Sequence, residues 1–328
     1  MKERVIVTGA SGFAGFHIIE EALNNNLEVY AAVRKSSNIE HLKHLEINFI
    51  NLNYRDLPAL KQQLTTVKPD YIIHAAGVVS AKSQAIYNTI NATYSYNLAS
   101  AAVEAAVDLK KFVFISSLAA IGPLNTLNGI ITENTIPKPV TSYGRSKLLA
   151  EQQLKTIKNL NYTILRPTAI YGPRDTGIFI FFKQIARGIE PYMGKAAQKL
   201  SFIYVKDVAR AAIKLLHDTK RTDYNLCDGN FYNRYELGNL TKEALDLKTF
   251  KVHLPVPLIK LIALISEKIS AFSGKAAVLN TEKLNELMAV NWSCDNEKIK
   301  SGIGFYPLFN LEAGLRETLT WYKANDWL

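Results

Sequence analysis

Tyr143 and Lys147 stand four positions apart in Tyr143-Gly144-Arg145-Ser146-Lys147, a spacing that places both side chains on one face of a helix. A phenol, ordinarily titrating near ~10, exchanges protons poorly at neutral pH unless a neighbouring ammonium stabilises its phenolate. Lys147 is placed to be that ammonium. Ser116-Ser117 follows the apolar run Phe112–Ile115 and offers hydroxyls to hold a substrate oxygen at the end of a strand. Near the N-terminus, Thr8-Gly9-Ala10-Ser11-Gly12-Phe13-Ala14-Gly15 lies between a β-branched run and the amphipathic segment His17–Leu23. Gly9 permits a tight turn, Gly12 lets the backbone approach a pyrophosphate, and Gly15 lets the following helix pack closely. The free N–H groups of that helix attract the anion. Together these residues predict proton transfer beside a bound dinucleotide.

The end of the second strand selects the dinucleotide. A carboxylate there would bond the ribose 2′-hydroxyl and repel a 2′-phosphate. The chain instead reads Val33-Arg34-Lys35-Ser36-Ser37, with two cations and two hydroxyls that suit a phosphate dianion. The sequence therefore favours NADP(H) and leaves NAD(H) open.

Strands must bring these groups to one edge. Apolar runs at Arg4–Thr8, Glu28–Val33, Ile47–Leu52, Tyr71–Ala75, Phe112–Ser116 and Tyr162–Arg166 alternate mostly with helical stretches. Continuous Val/Ile/Phe runs belong to strands buried on both faces, so an α/β, doubly wound parallel sheet is predicted, with a smaller, discontinuous C-terminal substrate domain. The boundary is placed at 1–170 for the nucleotide-binding domain and 171–328 for the substrate part, with about 201–227 returning to the core through strands at Phe202–Val205 and Tyr224–Leu226. Long helices over Tyr87–Val107 and Lys147–Lys158 offer a homodimer interface. The segment Leu254–Ile265 is too short for a membrane span, which needs ~20 apolar residues, and is expected to pack as an amphipathic helix on the second domain. Lining a greasy pocket or touching a membrane surface are its other readings.

The 328 residues are 48% hydrophobic and 21% charged, which excludes disordered and fibrous classes. Cys227 and Cys294 allow no disulfide framework and lack zinc-site spacing, so no metal is expected and a cytoplasmic setting fits. The net charge of +10 is scattered, which reads as solvated surface rather than a nucleic-acid footprint. Met1-Lys2-Glu3-Arg4 running straight into Val5-Ile6-Val7 does not read as a signal peptide.

The motifs together resemble the extended short-chain dehydrogenase/reductase family, also called the NAD-dependent epimerase/dehydratase family, nearly end to end. Thr8 to Gly15 is similar to its glycine loop, and His74-Ala75-Ala76-Gly77 to its fourth-strand segment. Phe114-Ile115-Ser116-Ser117 ahead of Gly122 is similar to its serine segment, and Leu165 to Pro173 and Tyr204 to Ala209 to its later signatures. Asn291–Trp327 resembles its C-terminal end. The resemblance implies a Rossmann fold and the catalytic residues Ser117, Tyr143 and Lys147, with Asn91 supporting the proton relay. Cofactor contacts are implied at Gly9, Ser11, Gly12, Phe13, Ala14, Gly15, Arg34, Lys35, Asn53, Tyr54, Ala75, Ala76, Gly77, Ser116, Tyr143, Lys147 and Pro167.

Three departures narrow the substrate. Asn53 replaces an aspartate but keeps an acceptor oxygen. Ala169 and Leu200 stand where nucleotide-sugar members carry an asparagine and an arginine that hold a diphosphate. The wording around Tyr171-Gly172-Pro173 is nearer the 3β-hydroxysteroid dehydrogenase and dihydroflavonol reductase branches. The resemblance thus implies an oxidoreductase acting on a hydroxyl or keto carbon of a small apolar substrate. The alternatives are a nucleotide-sugar epimerase or dehydratase, and a dinucleotide-sensing module, which the intact Ser117, Tyr143 and Lys147 disfavour.

Overall fold

Strand formation follows the buried apolar runs. The computed structural model describes residues 2–105, 108–273 and 280–328. β1 (Arg4–Thr8), α1 (Phe13–Asn24), β2 (Glu28–Ala32), β3 (Asn48–Ile50), α2 (Leu57–Val67) and β4 (Tyr71–His74) build the first half of the main sheet. α3 (Gln84–Tyr87) and α4 (Tyr94–Glu104) lead to β5 (Lys111–Ile115), α5 (Ser142–Thr156) and β6 (Tyr162–Pro167). The chain then forms β7 (Ala169–Tyr171), α6 (Phe179–Ala186), β8 (Ile189–Met193), β9 (Lys199–Leu200), β10 (Phe202–Tyr204), α7 (Val205–Lys214) and β11 (Thr222–Leu226). β12 (Tyr232–Asn233), α8 (Glu236–Leu245), β13 (Phe250–Leu254), α9 (Val256–Ser273), α10 (Thr281–Met288), α11 (Glu297–Ile303) and α12 (Leu311–Ala324) complete it.

The seven-stranded sheet has the order β11-β6-β5-β4-β1-β2-β3 and every pairing in it is parallel, a Rossmann arrangement. From β1 the chain winds outward through β2 and β3, then crosses back to β4 and winds the other way. That reversal opens a crevice at the carboxyl ends of β1 and β4. The register pairs Thr8 with both Ala32 and His74, His74 with Phe114, and Ile115 with Leu165, so Gly9, Ala75 and Ser116 emerge along one edge. One face of the sheet is covered by a core containing Ile18, Ile19, Val208, Ala212 and Phe305, the other by Leu60, Leu98, Ala150 and Leu154. A third core, around Tyr171, Phe182, Tyr204, Leu315 and Tyr322, holds the C-terminal part together.

Three expectations differ from the structure. Thr222–Leu226 joins the main sheet beside β6, but Phe202–Tyr204 does not. It pairs with β7 in a separate two-stranded sheet, because β11 already occupies the edge of β6 up to Pro167. The helix predicted over Tyr87–Val107 is interrupted by a π-helical stretch, Asn88–Thr93, and Val107 lies outside the described residues. In α9 only Ile259 and Ala263 are buried within the expected Leu254–Ile265 segment, so it is not the core-packing helix its apolar composition predicts. No described helix is long and apolar enough to cross a membrane.

The C-terminal helix α12 is locked onto β7 by a close approach at Gly314. A Cβ there would come within 2.2 Å of the Tyr171 hydroxyl, and Tyr171 is fully buried. Gly314→Ala is expected to destabilise the protein by about 1–3 kcal/mol, the usual range for overpacking, and thermal unfolding of the variant measures it directly. An unchanged midpoint would show that Tyr171 can yield.

Candidate active site

The glycine loop forms as its sequence requires. Gly9 adopts φ +68°, and its carbonyl accepts from the Gly12 amide at 2.9 Å. A Cβ on Gly15 would sit 2.1 Å from the Gly9 oxygen, so the start of α1 can press on the loop only with glycine there. Gly12 caps α1 with extended backbone, no side chain caps the first turn and no acid lies in it. The N–H groups of Phe13 and Ala14 are left pointing out of the helix, which is the arrangement an anionic pyrophosphate needs. Ser11 lies between Gly9 and Gly12, half-buried.

The rest of the edge surrounds this loop. Arg34 and Lys35 are exposed just beyond β2, and no carboxylate stands between Val33 and Asn38. Ala75, Ala76 and Gly77 leave β4 beside Gly9, with the Ala76 amide donating to the Thr8 hydroxyl at 3.1 Å. Asn53 is exposed beyond β3. Tyr54 turns inward: its hydroxyl meets Thr8 and its ring stacks on Tyr94, so it supports the floor of the crevice rather than its rim. Pro167 is buried at the end of β6, and the neighbouring Thr168 hydroxyl is buried without a partner, a polar atom that no motif predicted.

Tyr143 and Lys147 share a face of α5, whose first turn is capped by Thr141 Oγ accepting from the Gly144 amide at 3.0 Å. Gly144 is required at that point, since a Cβ would meet the Ala119 carbonyl at 2.2 Å. Lys147 is only 4% exposed; its Nζ donates to the Ile115 carbonyl at 2.8 Å and lies over the Phe114 ring. Burial pushes this ammonium down to about 8, with Glu151 one turn further along α5 opposing the shift. Burial pushes the Tyr143 phenol up to about 12, and a hydrogen bond with Ser117 pulls the other way. The phenol is protonated at neutral pH. In the protein free of ligands the group opposing burial at the phenol is Ser117, while Lys147 Nζ is directed at the Ile115 carbonyl.

Asn91 is fully buried in the π-helical stretch. Its amide donates to Val78 O at 3.0 Å and to Ser146 Oγ at 2.9 Å, and Ser146 in turn donates to the Tyr143 carbonyl at 2.7 Å. The π-turn rotates Asn91 toward α5, a common use of such bulges at functional sites. A chain of short contacts continues from the Asn91 carbonyl to Ser95, His74 and Thr8. Burial, then the charge of Lys147, drives His74 down to about 3, so its ring is neutral. Gly77 closes the wall. A Cβ on it would lie 3.1 Å from Asn91 Oδ1 and 3.6 Å from Lys147 Nζ, so a larger side chain would crowd the buried asparagine.

Two predicted or overlooked groups have other work. Ser116 Oγ donates to Glu151 at 2.5 Å, away from the crevice. Glu151 is also gripped by Arg166 through both carboxylate oxygens, and Arg166 reaches Asp223 at 2.7 Å. This buried cluster ties α5 to β6 and β11. Its signal in the sequence was the i,i+4 step from Lys147 to Glu151. At the other end of α5, Glu282 of α10 accepts from the Ser142 amide at 2.5 Å and pairs with Arg145, while the charge of Glu286 reaches the Tyr143 phenol. α10 therefore borders Tyr143. Among the described residues no His, Cys, Asp and Glu group could hold a metal ion.

The model of the "NAD dependent epimerase/dehydratase family" matches residues 5–227. N-Acetyl-α-D-glucosaminyl-diphospho-ditrans,octacis-undecaprenol 4-epimerase of Escherichia coli O157:H7 is 28% identical, the match covering 97% of this chain and 95% of that protein. Ceramide reductase of Caulobacter vibrioides is 24% identical, covering 99% and 96%. The crystal structure of UDP-glucose 4-epimerase from Thermotoga maritima with UDP-glucose superposes with a TM-score of 0.79 over 98% of this chain and 99% of that one, at 22% identity.

The buried ammonium has a measurable consequence. Because Lys147 releases its proton in the folded protein near 8 but not until about 10.5 in the unfolded chain, its burial costs stability below pH 8, and that cost fades as pH rises toward 10.5. Lys147→Met is expected to unfold later than wild type at pH 7, by on the order of 1–3 kcal/mol, with the gap closing by pH 10. Thermal unfolding across this range gives the answer; a variant less stable at every pH would mean that the bond to Ile115 outweighs the desolvation.

Proposed function

Because the chain belongs to the NAD-dependent epimerase/dehydratase family, we propose that it transfers hydride between a nicotinamide cofactor and the hydroxyl or keto carbon of a substrate with an apolar body. The observation that carries this reading is the meeting of Tyr143, Ser117 and Lys147 at the end of β5, facing a crevice walled by Gly9 and Gly77. A dinucleotide held in that crevice would supply or accept the hydride. Residues 1–170, with α7 and β11 returning to the main sheet, would hold it, and most of the remaining chain shapes the substrate side.

Tyr143, protonated at neutral pH, gives its proton to the substrate oxygen during reduction and recovers it during oxidation. Ser117 bonds the phenol and holds the substrate oxygen within reach. Lys147, freed of competition from water, binds the ribose hydroxyls, and its neighbouring charge stabilises the phenolate left behind. Asn91 holds Ser146, and through it the first turn of α5, in place. Arg34 and Lys35 support NADP(H) over NAD(H), since they offer charge-assisted contacts to a 2′-phosphate and no carboxylate opposes it.

For the substrate, Ala169 is exposed on β7 and Leu200 half-buried on β9, and neither can bond a diphosphate. The E. coli and Caulobacter relatives are both named for lipid-borne substrates, which supports an apolar body. The second reading, epimerisation of a nucleotide sugar, is favoured by the family match and by the UDP-glucose 4-epimerase of Vibrio cholerae at 24% identity. The same proton-carrying residues would serve it with no net consumption of cofactor.

Three measurements test these statements. Tyr143→Phe is expected to lower turnover about 10²–10⁴-fold while leaving cofactor affinity within a few-fold, because only the proton-carrying oxygen is lost; activity near wild type would remove Tyr143 from the mechanism. Arg34→Asp should weaken NADP(H) much more than NAD(H) in direct titration, and tighter binding of NAD(H) by wild type would contradict the preference. Reduction of apolar ketones or aldehydes with stoichiometric loss of NADPH, and no thermal stabilisation by UDP, is the outcome expected for the substrate class. Stabilisation by UDP with sugar epimerisation and no cofactor loss would establish the second reading instead.

A further inference from the structure

The face that α9 turns to water is the wrong one for an isolated protein. Leu258, Leu261, Ile262, Leu264 and Ile265 are each 46–53% exposed, whereas Ile259 and Ala263 are buried. At about 100° per residue the five exposed aliphatics span an arc of about 160° pointing away from the buried pair. Exposed apolar side chains scattered singly are ordinary, but a contiguous stripe is not. The stripe is also extended. β13 runs through Pro255 directly into α9, and its Phe250, 80% exposed, pairs in register with the exposed Ile189 of β8. Val252 lies on the same face of that ribbon and is also exposed.

The charges along the stripe are mostly basic, with Asp246 and Glu267 at its two ends. Between them the chain carries Lys248 and Lys260, while Lys251 sits on the opposite face of β13 from Phe250 and Val252, over the Tyr235 ring, and Arg187 stands two residues before Ile189. An aliphatic face flanked by cations, on a helix too short of apolar residues to cross a bilayer, has the make-up of an interfacial helix. A second copy of the chain fits less well, since two-fold pairing of the stripe would bring these cations toward their own counterparts.

We infer that α9 and the β8–β13 ribbon dock on an anionic lipid surface, α9 lying in the plane of the interface. Lys260 and the neighbouring Lys248 and Arg187 meet lipid phosphates while the aliphatics enter the boundary of the acyl region. The docked helix is joined to the catalytic end of the molecule. Glu267 near the end of the stripe accepts from the Thr281 amide at 2.6 Å, which begins α10, and Glu282 of α10 holds the start of α5. Docking would thus set the mouth of the site against the bilayer, where a lipid or lipid-borne alcohol or ketone resides. This last step rests on the apolar-substrate reading; the docking itself does not, and it is measured without substrate or cofactor.

Flotation of the full-length chain with phosphatidylcholine vesicles containing about one-third phosphatidylglycerol is the test. Wild type should float with these vesicles and do so at least tenfold less with phosphatidylcholine alone. The triple variant Leu261→Glu/Leu264→Glu/Ile265→Glu should lose at least tenfold in flotation while keeping its circular dichroism, and Leu127→Glu, an exposed aliphatic on another surface, should behave as wild type. Wild type that stays with the unbound fraction overturns the inference, as does a triple variant that floats normally. A wild-type dimer that the triple variant converts to monomer, with neither floating, also overturns it and gives the stripe to a second copy.

Discussion

The withdrawal of water from the end of β5 governs the rest of the site. Parallel strands whose carboxyl ends align in register bring Gly9, Ala75 and Ser116 to one edge, and α5 is pressed onto that edge so closely that Gly144 must lack a side chain. Lys147 is buried as a result. Burial lowers the ammonium toward neutral pH and raises the phenol away from it, so the phenol holds its proton more tightly than the ammonium while both stay protonated at neutral pH. The polar atoms around them are then obliged to pair: Lys147 with Ile115, Tyr143 with Ser117, Asn91 with Val78 and Ser146.

A second set of contacts keeps α5 from leaving this edge. Arg166, buried between β5 and β11 in the sheet order, holds Glu151 by both oxygens, and Ser116 adds a further bond to the same carboxylate. A buried ion pair of this kind contributes little net stability, because desolvation offsets its Coulomb energy, but its geometry is specific. It fixes the rotation of α5 and therefore where Tyr143 and Lys147 point. α10 grips the same helix from its other end through Glu282, so the C-terminal part of the chain touches the helix that carries Tyr143 directly.

Much of this was legible in the residues. The six main apolar runs form six strands of the sheet, since burial on both faces leaves a continuous β-branched signal, and the glycine loop and the Tyr143–Lys147 spacing carry local geometry that any surrounding structure must respect. What was not legible depended on competition between distant segments. Phe202–Tyr204 reads as a strand but not as one displaced from β6 by β11. Asn88–Thr93 reads as helix, and nothing local announces the π-turn that aims Asn91. Ser116 and Ser117 are neighbours with the same chemistry, and only the tertiary position of Glu151 sends one away from the crevice. The apolar α9 misleads in another way, because composition reports that a surface wants to be covered without saying whether protein covers it.

The central claim is that burial, and not the neighbouring ammonium, dominates the Tyr143 phenol in the protein free of ligands. Titration of tyrosine labelled with ¹³C at Cζ, with the Tyr143 resonance assigned by its loss in Tyr143→Phe, reads this group alone. The account predicts that it titrates well above an ordinary tyrosine, near 12, and higher still in Ser117→Ala, where the opposing hydrogen bond is gone. A phenol that titrates below 10 in the free protein, or one that Ser117→Ala leaves unmoved, would contradict it.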